Sequence, residues 1–191
     1  MDLIKLELNF HKREIYFPCT DNFQLIKNNF NIYYNIDNNY IYNNEEYQSI
    51  SYQIYYLYNG AIGFGKSQFP ENECLGFHEY DIERVKILFD IDTNKPKYVY
   101  FSAHKNEGRW LSWDKCKKNE NGDLKIFVSR ASHANYPSPG IWFRILFLAN
   151  DNCSNSGMVI TPELLRGNFT FDPPSYNINS SFLKRIFLLK N

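Results

Sequence analysis

The sequence predicts a mainly β protein, a single-domain antiparallel β-sandwich with long loops. Its 191 residues suit one domain. They include 15 Tyr and 16 Phe, residue types that favour pleated, half-buried surfaces. Short apolar or alternating segments recur along the chain, separated by the turn formers Asn, Gly and Pro. Many short strands between turns are typical of a sandwich or a barrel.

The amino-terminal part, residues 1–45, is predicted to form strands and a hairpin that extend a sandwich domain over residues 46–191, with one compact domain overall. Residues 3–10 alternate between apolar and polar side chains, which indicates a half-buried strand. Residues 28–44 are rich in Asn and Tyr and are predicted to form a polar hairpin region. Two turns are predicted there, at Asn38-Asn39 and at Asn43-Asn44.

The remaining residues contain five predicted strands, a loop and an ambiguous tail. The strands are predicted over residues 47–58, 81–91, 96–104, 124–128 and 141–149. The last strand is apolar on both faces, so we expect it to be central and buried. Pro and Gly mark residues 129–140 as a loop. The tail, residues 181–190, fits either a final strand or a short amphipathic helix.

Charge and hydropathy exclude several classes of partner. The chain has 21 basic and 21 acidic residues and a formal net charge of zero, which argues against a nucleic-acid partner held by charge. The start, MDLIKLELNF, lacks the pattern of a secretory signal, and no apolar run approaches the roughly 18 residues of a membrane span. We therefore expect a cytoplasmic protein without a transmembrane segment. Asn, Ile, Lys and Tyr are abundant and have AT-rich codons, which indicates an AT-rich genome such as that of a protist or a large DNA virus. A virus particle is therefore an alternative location.

The four cysteines, Cys19, Cys74, Cys116 and Cys153, are widely separated. No CxxC spacing occurs, which argues against a zinc knuckle. Without a secretion signal, four reduced thiols are expected.

The most informative segment is an acidic pair at the start of the predicted strand 81–91. Residues two apart in a strand share a face, so Asp81 and Glu83 share one with the apolar residues Val85, Ile87, Phe89 and Ile91. The opposite face carries Arg84, Lys86 and Asp90. Two carboxylates thus enter the strand on its inward side, where they are costly unless a cation or hydrogen-bond donors meet them.

His78 stands just before this pair and is close enough to converge with it through a turn. Together, His78, Asp81 and Glu83 are candidate ligands for a divalent cation, namely calcium, magnesium or manganese. The alternative is that the two carboxylates pair with an arginine. Arg109, Arg130 and Arg144 are the candidates for that pairing.

Two further histidines occupy suggestive positions. His104 ends a predicted strand, and His133 follows Ser132 in the loop 129–140. A single His at a strand end is more often a hydrogen-bonded structural residue than a ligand. Ser132 and His133 do not form a catalytic dyad, because adjacent side chains rarely face each other. No nucleophile elbow or phosphate-binding glycine loop is present.

Five segments occur in an order that resembles one family. They are Tyr55-Tyr56-Leu57-Tyr58-Asn59-Gly60, His78-Glu79-Tyr80-Asp81-Ile82-Glu83, Val99-Tyr100-Phe101-Ser102-Ala103-His104, Gly108-Arg109-Trp110 and Val128-Ser129-Arg130-Ala131-Ser132-His133-Ala134-Asn135-Tyr136-Pro137. This set, over about residues 50–160, resembles the vacuolar protein sorting-associated protein sixty-two family.

The second segment also resembles the heptapeptide Gly-His-Arg-His-Asp-Trp-Glu of the necrosis- and ethylene-inducing-peptide-like proteins. Those are β-sandwich cytolysins that bind a divalent cation and recognise a membrane glycolipid. The resemblance implies a cation held by His78, Asp81 and Glu83. Ile82 stands in place of the motif Trp, and an upstream Asp has no counterpart except Glu71 or Glu73. These departures and the lack of a signal argue against toxin activity.

The leading hypothesis is a non-catalytic, cation-assisted binding module for a glycan or a lipid headgroup. Exposed aromatic side chains would pack against the ligand, the candidates being Trp110, Trp113, Tyr136 and Trp142. The residues predicted to bind ligand or to support the metal ligands are His104, Ser132, His133, Trp110, Tyr136 and Glu73.

Two alternatives stay open at this point. One is a structural or interaction protein of a viral particle or a trafficking complex, in which the acidic site is a relic and a protein is the partner. The other is a metal-assisted hydrolase in which His104 or His133 acts as acid or base.

Overall fold

The computed structural model is mainly β, as predicted. It describes residues 14–17, 32–59, 63–64, 67–68, 78–104, 107–129, 132–144, 149–153, 158–160 and 164–174. The strands are β1 (Glu14–Phe17), β2 (Ile32–Tyr42), β3 (Glu45–Asn59), β4 (Gly63–Phe64), β5 (Ser67–Gln68), β6 (His78–Asp90), β7 (Pro96–Phe101), β8 (Arg109–Ser112), β9 (Lys125–Val128), β10 (Asn135–Tyr136), β11 (Gly140–Arg144), β12 (Ala149–Cys153), β13 (Met158–Ile160) and β14 (Leu164–Arg166). A 3-10 turn covers Trp113–Lys115.

These strands form one main sheet and two smaller ones. The main sheet has six strands in the order β14-β2-β3-β6-β7-β8. A second sheet has the order β10-β9-β1-β13, and a third has the order β11-β12-β4-β5. Most neighbouring strands are antiparallel, as predicted, but β1 runs parallel to β9 and β14 runs parallel to β2. The sheets are therefore mixed.

The principal core lies between the main sheet and strand β9 of the second sheet. Ile54 of β3 and Val85 and Ile87 of β6 are fully buried. They belong to one apolar cluster with Ile126 and Val128 of β9. Because each sheet buries one apolar face against the other, the two sheets form the layers of a single domain.

The opposite face of the main sheet carries a second cluster, which is mostly aromatic. Its buried members are Tyr40, Tyr42, Tyr47, Leu88, Tyr100 and Trp110, with Phe171 packed against them. The chain after β14 lies over this face, since the Trp110 indole Nε1 donates to the Pro174 carbonyl oxygen at 2.8 Å. The main sheet is thus covered on both faces.

Two asparagines form the turn that connects β2 to β3. Asn43 and Asn44 both have positive φ, at 53° and 65°, the combination that a tight hairpin turn requires. The turn predicted there is confirmed. The turn predicted at Asn38-Asn39 is wrong, because the chain continues in β2 and the register shifts between Asp37 and Tyr40. A β-bulge occupies that position instead.

Four of the predicted strands correspond to β3, β6, β7 and β9, with small differences at their ends. The prediction of one central, buried strand over residues 141–149 is wrong. Among the described residues β11 ends at Arg144 and pairs only with β12, so it is an edge strand. Phe143 is 53% exposed there. Apolar residues on both faces indicated burial, but the neighbours of a strand depend on the whole sheet.

Some of the remaining predictions fall on residues outside the described part of the structure. The strand over residues 3–10 and the tail 181–190 lie outside the described residues. β2 falls inside the predicted extension 1–45 and pairs with β3 along its length, while the boundary at 45/46 stays a prediction.

Cys116 and Cys153 are buried free thiols. No helix in the described part of the chain is long and apolar enough to span a membrane.

Candidate functional site

The candidate site lies near the start of β6, where Asp81 and Glu83 share a face. Asp81 stands opposite Tyr56 and Glu83 opposite Ile54 on strand β3. Glu83 is 4% exposed and Asp81 is half-buried, whereas Ile82 between them is 39% exposed. The alternation therefore places both carboxylates on the side of the core, as the pattern indicated.

Glu83 is a buried carboxyl group with one hydrogen-bond donor. The Ser102 hydroxyl donates to Glu83 Oε2, and the Arg84 backbone N–H donates to the same hydroxyl oxygen at 2.6 Å. Within the described residues Glu83 forms no ion pair. Burial, followed by the negative charge of Asp81, raises the pKa of Glu83 to about 8, and Asp151 adds to this effect. A proton or a cation is therefore favoured at this carboxyl group.

His133 lies beside the other member of the acidic pair. Its Nδ1 atom is 3.7 Å from Asp81 Oδ2. The imidazole is 1% exposed and stacks on the Tyr56 ring, with 4.1 Å between centroids and 2° between planes. A tight loop holds it there, because the Ser129 N–H donates to the Ala134 carbonyl at 2.8 Å. His133 has a φ of 56° in this loop, a conformation that His adopts more readily than most residues.

Asp151 is the centre of a buried hydrogen-bond network that the sequence did not suggest. Its Oδ2 atom lies 2.7 Å from His104 Nε2 and accepts from the Tyr136 hydroxyl at 2.5 Å. The Ser132 hydroxyl donates to Oδ1 at 2.6 Å. Burial alone would raise the pKa of Asp151, but the donors, led by His104, outweigh burial and lower the pKa to about 2. Asp151 is thus an anion that three of the described side chains hold in place.

A weak signal for Asp151 was present in the sequence. Along β12, Asp151 and Cys153 are buried while Asn152 is exposed. This alternation is typical of a strand that buries one face. This alternation lies in an Asn-rich stretch after residue 149, where the predicted strand 141–149 ends, so Asp151 was not identified from the sequence.

Two loops complete the site. Ser102 and His104 follow strand β7, and Ser132 and His133 precede β10. The loops are joined because the Asn135 N–H donates to the Ser102 carbonyl oxygen at 2.9 Å. The structure therefore brings together three predicted site residues from the two loops, namely His104, Ser132 and His133, and the acidic pair of β6.

Two predicted ligand-contacting aromatics are buried, which corrects the expectation that they are exposed. Trp110 is 5% exposed and Tyr136 is 1% exposed. Trp110 belongs to the aromatic cluster on the far face of the main sheet, where its ring centroid lies 4.4 Å from that of Tyr42. Tyr136 acts instead as a hydrogen-bond donor to Asp151. Neither ring is exposed in the described structure.

Arg109 does not neutralise the acidic pair. Its guanidinium lies 4.4 Å from the ring centroid of Trp142 and 5.6 Å from that of Tyr136. Trp142 and Tyr136 are themselves stacked, with centroids 4.8 Å apart. Among the described residues Arg109 forms no ion pair. The side chains of the other two candidate arginines, Arg130 and Arg144, lie outside the description.

The donor set suits a hard cation in its chemistry, because carboxylate oxygens are the ligands that calcium, magnesium and manganese prefer. Among the side chains that are described, no three of the His, Cys, Asp or Glu residues are grouped so as to hold a metal ion. β6 runs without a register shift from His78 to Asp90, so the turn expected between His78 and the acidic pair is absent, and the period of two groups position 78 with Ile82 and not with Asp81 and Glu83. The His78 side chain and the whole of Glu73 lie outside the described part of the structure. The third ligand predicted from the sequence therefore stays a prediction.

Comparison with known proteins gives little further information. No family model matches the chain, and no curated protein matches it. A solved structure that matches is the crystal structure of necrosis and ethylene inducing protein 2 from the causal agent of cocoa's witches' broom disease. The identity is 14%, the match covers 84% of this chain and 72% of that chain, and the TM-score is 0.49. A likeness of this size carries no argument about function, and no comparison supports the resemblance to the vacuolar sorting family.

Proposed function

We propose that this chain is a non-catalytic binding module for a glycan or a lipid headgroup, and that a divalent cation at Asp81 and Glu83 assists binding. The observation that carries the proposal is the environment of Glu83. Its carboxyl group is buried beside a second carboxylate and forms no ion pair within the described residues. Burying such a pair is costly unless positive charge compensates it.

A cation provides that charge and a binding function together. Asp81 and Glu83 would hold it. Calcium, magnesium and manganese accept carboxylate oxygens and keep coordination positions for other oxygen ligands. When bound, the ion would coordinate hydroxyl or phosphate oxygens of a glycan or a headgroup.

The network around Asp151 supports binding over hydrolysis. Among the described contacts, the Ser132 hydroxyl donates to Asp151 Oδ1. His104 is likewise held against Asp151. The pKa of Asp151 is lowered to about 2, so its carboxylate is too weak a base to activate the Ser132 hydroxyl as a nucleophile. These side chains are instead fixed as supports for the two loops that approach the acidic pair.

Cation-dependent retention on ligands tests the proposal. The probes are a printed glycan array and phosphatidylcholine vesicles that contain phosphatidylinositol or a glycosylated sphingolipid. We expect at least one probe to retain the protein in calcium and to release it in EDTA. Asp81→Asn should weaken this binding by about tenfold or more, since loss of a carboxylate weakens the cation site. Asp92→Asn removes the same charge at an exposed turn position and should bind like the wild type.

Two results would count against a cation-assisted binding module. If every probe that retains the protein in calcium also retains it in EDTA and retains Asp81→Asn, the acidic pair takes no part in binding. Absence of retention on every probe, with a folded protein, would instead favour the structural or interaction protein.

A further inference from the structure

A polar cleft lies on the opposite face of the main sheet from Glu83. Its volume is about 740 Å³, within the range of roughly 300–1,000 Å³ typical of small-molecule sites. The β2 bulge and the chain after β14 form its walls. Five residues carry the argument, and all of them line the cleft: Asp37, Tyr40, Lys86, Phe171 and Asp172.

Lys86 is the unusual residue of this cleft. Lys86 is only 2% exposed. The ammonium Nζ lies 3.6 Å from the Tyr40 ring centroid and 6.0 Å from that of Phe171. Within the described residues Nζ forms no hydrogen bond and no ion pair. An ammonium has three donors, and Lys86 Nζ is not one of the fully buried polar atoms that lack a partner, so these donors are open to the cleft that Lys86 lines.

The protein groups around Lys86 compensate its positive charge only in part. Burial lowers the pKa of Lys86 to about 8, and the charges of Asp37 and Asp172 oppose this effect only in part. The two aromatic rings stabilise the cation through their faces, but they accept no conventional hydrogen bond. An oxygen acceptor supplied by a ligand would complete the environment.

Two carboxylates stand at the edge of the same cleft. Asp172 Oδ1 accepts from the Tyr40 hydroxyl at 3.0 Å. Asp37 Oδ1 accepts from the Asn39 backbone N–H at 3.1 Å. Among the described residues the Oδ2 atom of each group has no hydrogen bond, and both residues are exposed. The cleft therefore offers acceptors at its edge and donors at its base.

We propose that this cleft is a second binding site, independent of any cation, for a neutral carbohydrate. A sugar hydroxyl accepts a hydrogen bond from an ammonium and donates one to a carboxylate, so adjacent hydroxyls can join Lys86 to Asp37 or Asp172. An anion would face two carboxylates against one lysine. An apolar ligand would leave Lys86 without acceptors. The Phe171 ring supplies apolar surface for the C–H face of a sugar ring.

The inference does not depend on the cation site. Lys86 and Glu83 are three residues apart on β6 and point to opposite faces of the strand. Glu83 faces the core shared with β9, and Lys86 contacts the aromatic rings on the far side. The two sites share no residue.

Sugar titrations in EDTA test the second site. The probes are glucose, galactose, mannose and N-acetylglucosamine, followed by saturation-transfer NMR and calorimetry, with inorganic phosphate as the anionic comparison. We expect saturable binding of at least one sugar and weaker binding of phosphate. Lys86→Met should weaken sugar binding by roughly tenfold or more, the effect of losing a hydrogen bond from a charged donor. Lys95→Met, at an exposed position, should leave it unchanged.

Further variants keep the test decisive. If Lys86→Met fails to fold, Asp37→Asn alters the exposed edge of the cleft and should weaken sugar binding without loss of the fold. Asp81→Asn should bind sugar like the wild type, which separates this site from the proposed cation site. The proposal is overturned if no sugar binds in EDTA, if phosphate binds more tightly than every sugar, or if Asp81→Asn abolishes the binding.

Discussion

Replacing Asp151 with alanine is expected to lower the free energy of unfolding by about 3–5 kcal/mol. The carboxylate is 2% exposed and accepts hydrogen bonds from Ser132, Tyr136 and the ring of His104. Alanine removes the acceptor and leaves three polar groups without it. Two of these, in Ser132 and Tyr136, belong to buried residues. Urea or guanidinium denaturation measures the difference.

Two matched variants isolate the cause. Tyr136→Phe removes one of the three donors and should cost about 1–2 kcal/mol. Asn152→Ala, on the same strand but exposed, should stay within about 0.5 kcal/mol of the wild type. An Asp151→Ala protein as stable as Asn152→Ala would contradict the central place of this carboxylate in the fold.

In a chelator, wild-type protein is expected to lose stability as the pH rises from about 5 to about 8, and Glu83→Gln should remove most of that loss. The pKa of Glu83 is raised from 4.5 to about 8 by burial and by Asp81. The folded state therefore binds this proton more tightly than the unfolded state does. The resulting stability is complete below pH 4.5 and is lost as the pH rises through about 8. A shift of this size corresponds to about 3–5 kcal/mol.

The titration of Asp151 falls in a different window. Its pKa is lowered to about 2, so its contribution is present above the ordinary value of 3.8 and is lost only as the pH falls toward 2. Denaturation curves at about pH 5, 6, 7 and 8 therefore report on Glu83 without interference from Asp151. Asp92→Asn, which changes an exposed carboxylate, should keep the wild-type slope. Parallel curves for wild type and Glu83→Gln would show that Glu83 does not carry the effect.

The local sequence pattern was sufficient to predict part of the fold and part of the site. The period of two placed Asp81 and Glu83 on the core face of β6, because alternation is a property of any strand. The turn at Asn43-Asn44 followed from the tolerance of Asn for positive φ. These features depend on residues close together in sequence, so the sequence alone could predict them.

Features that depend on distant segments were missed. The partners of Asp151 lie 15, 19 and 47 residues away, so the network exists only once β12 and the two loops are in place. Lys86 was correctly assigned to the face opposite Glu83, but its burial comes from Tyr40 and from the chain around Phe171. The edge position of β11 likewise follows from sheet order and not from its apolar residues.

The metal content of the native protein tests the cation site most directly. It is measured by elemental mass spectrometry, together with melting curves in chelator and in calcium, for the wild type, Asp81→Asn and Asp92→Asn. We predict a stoichiometric divalent metal in the wild type and in Asp92→Asn but not in Asp81→Asn. Chelation should lower the wild-type melting temperature, and calcium should restore it. A metal-free wild type whose melting temperature is the same in chelator and in calcium would contradict the account.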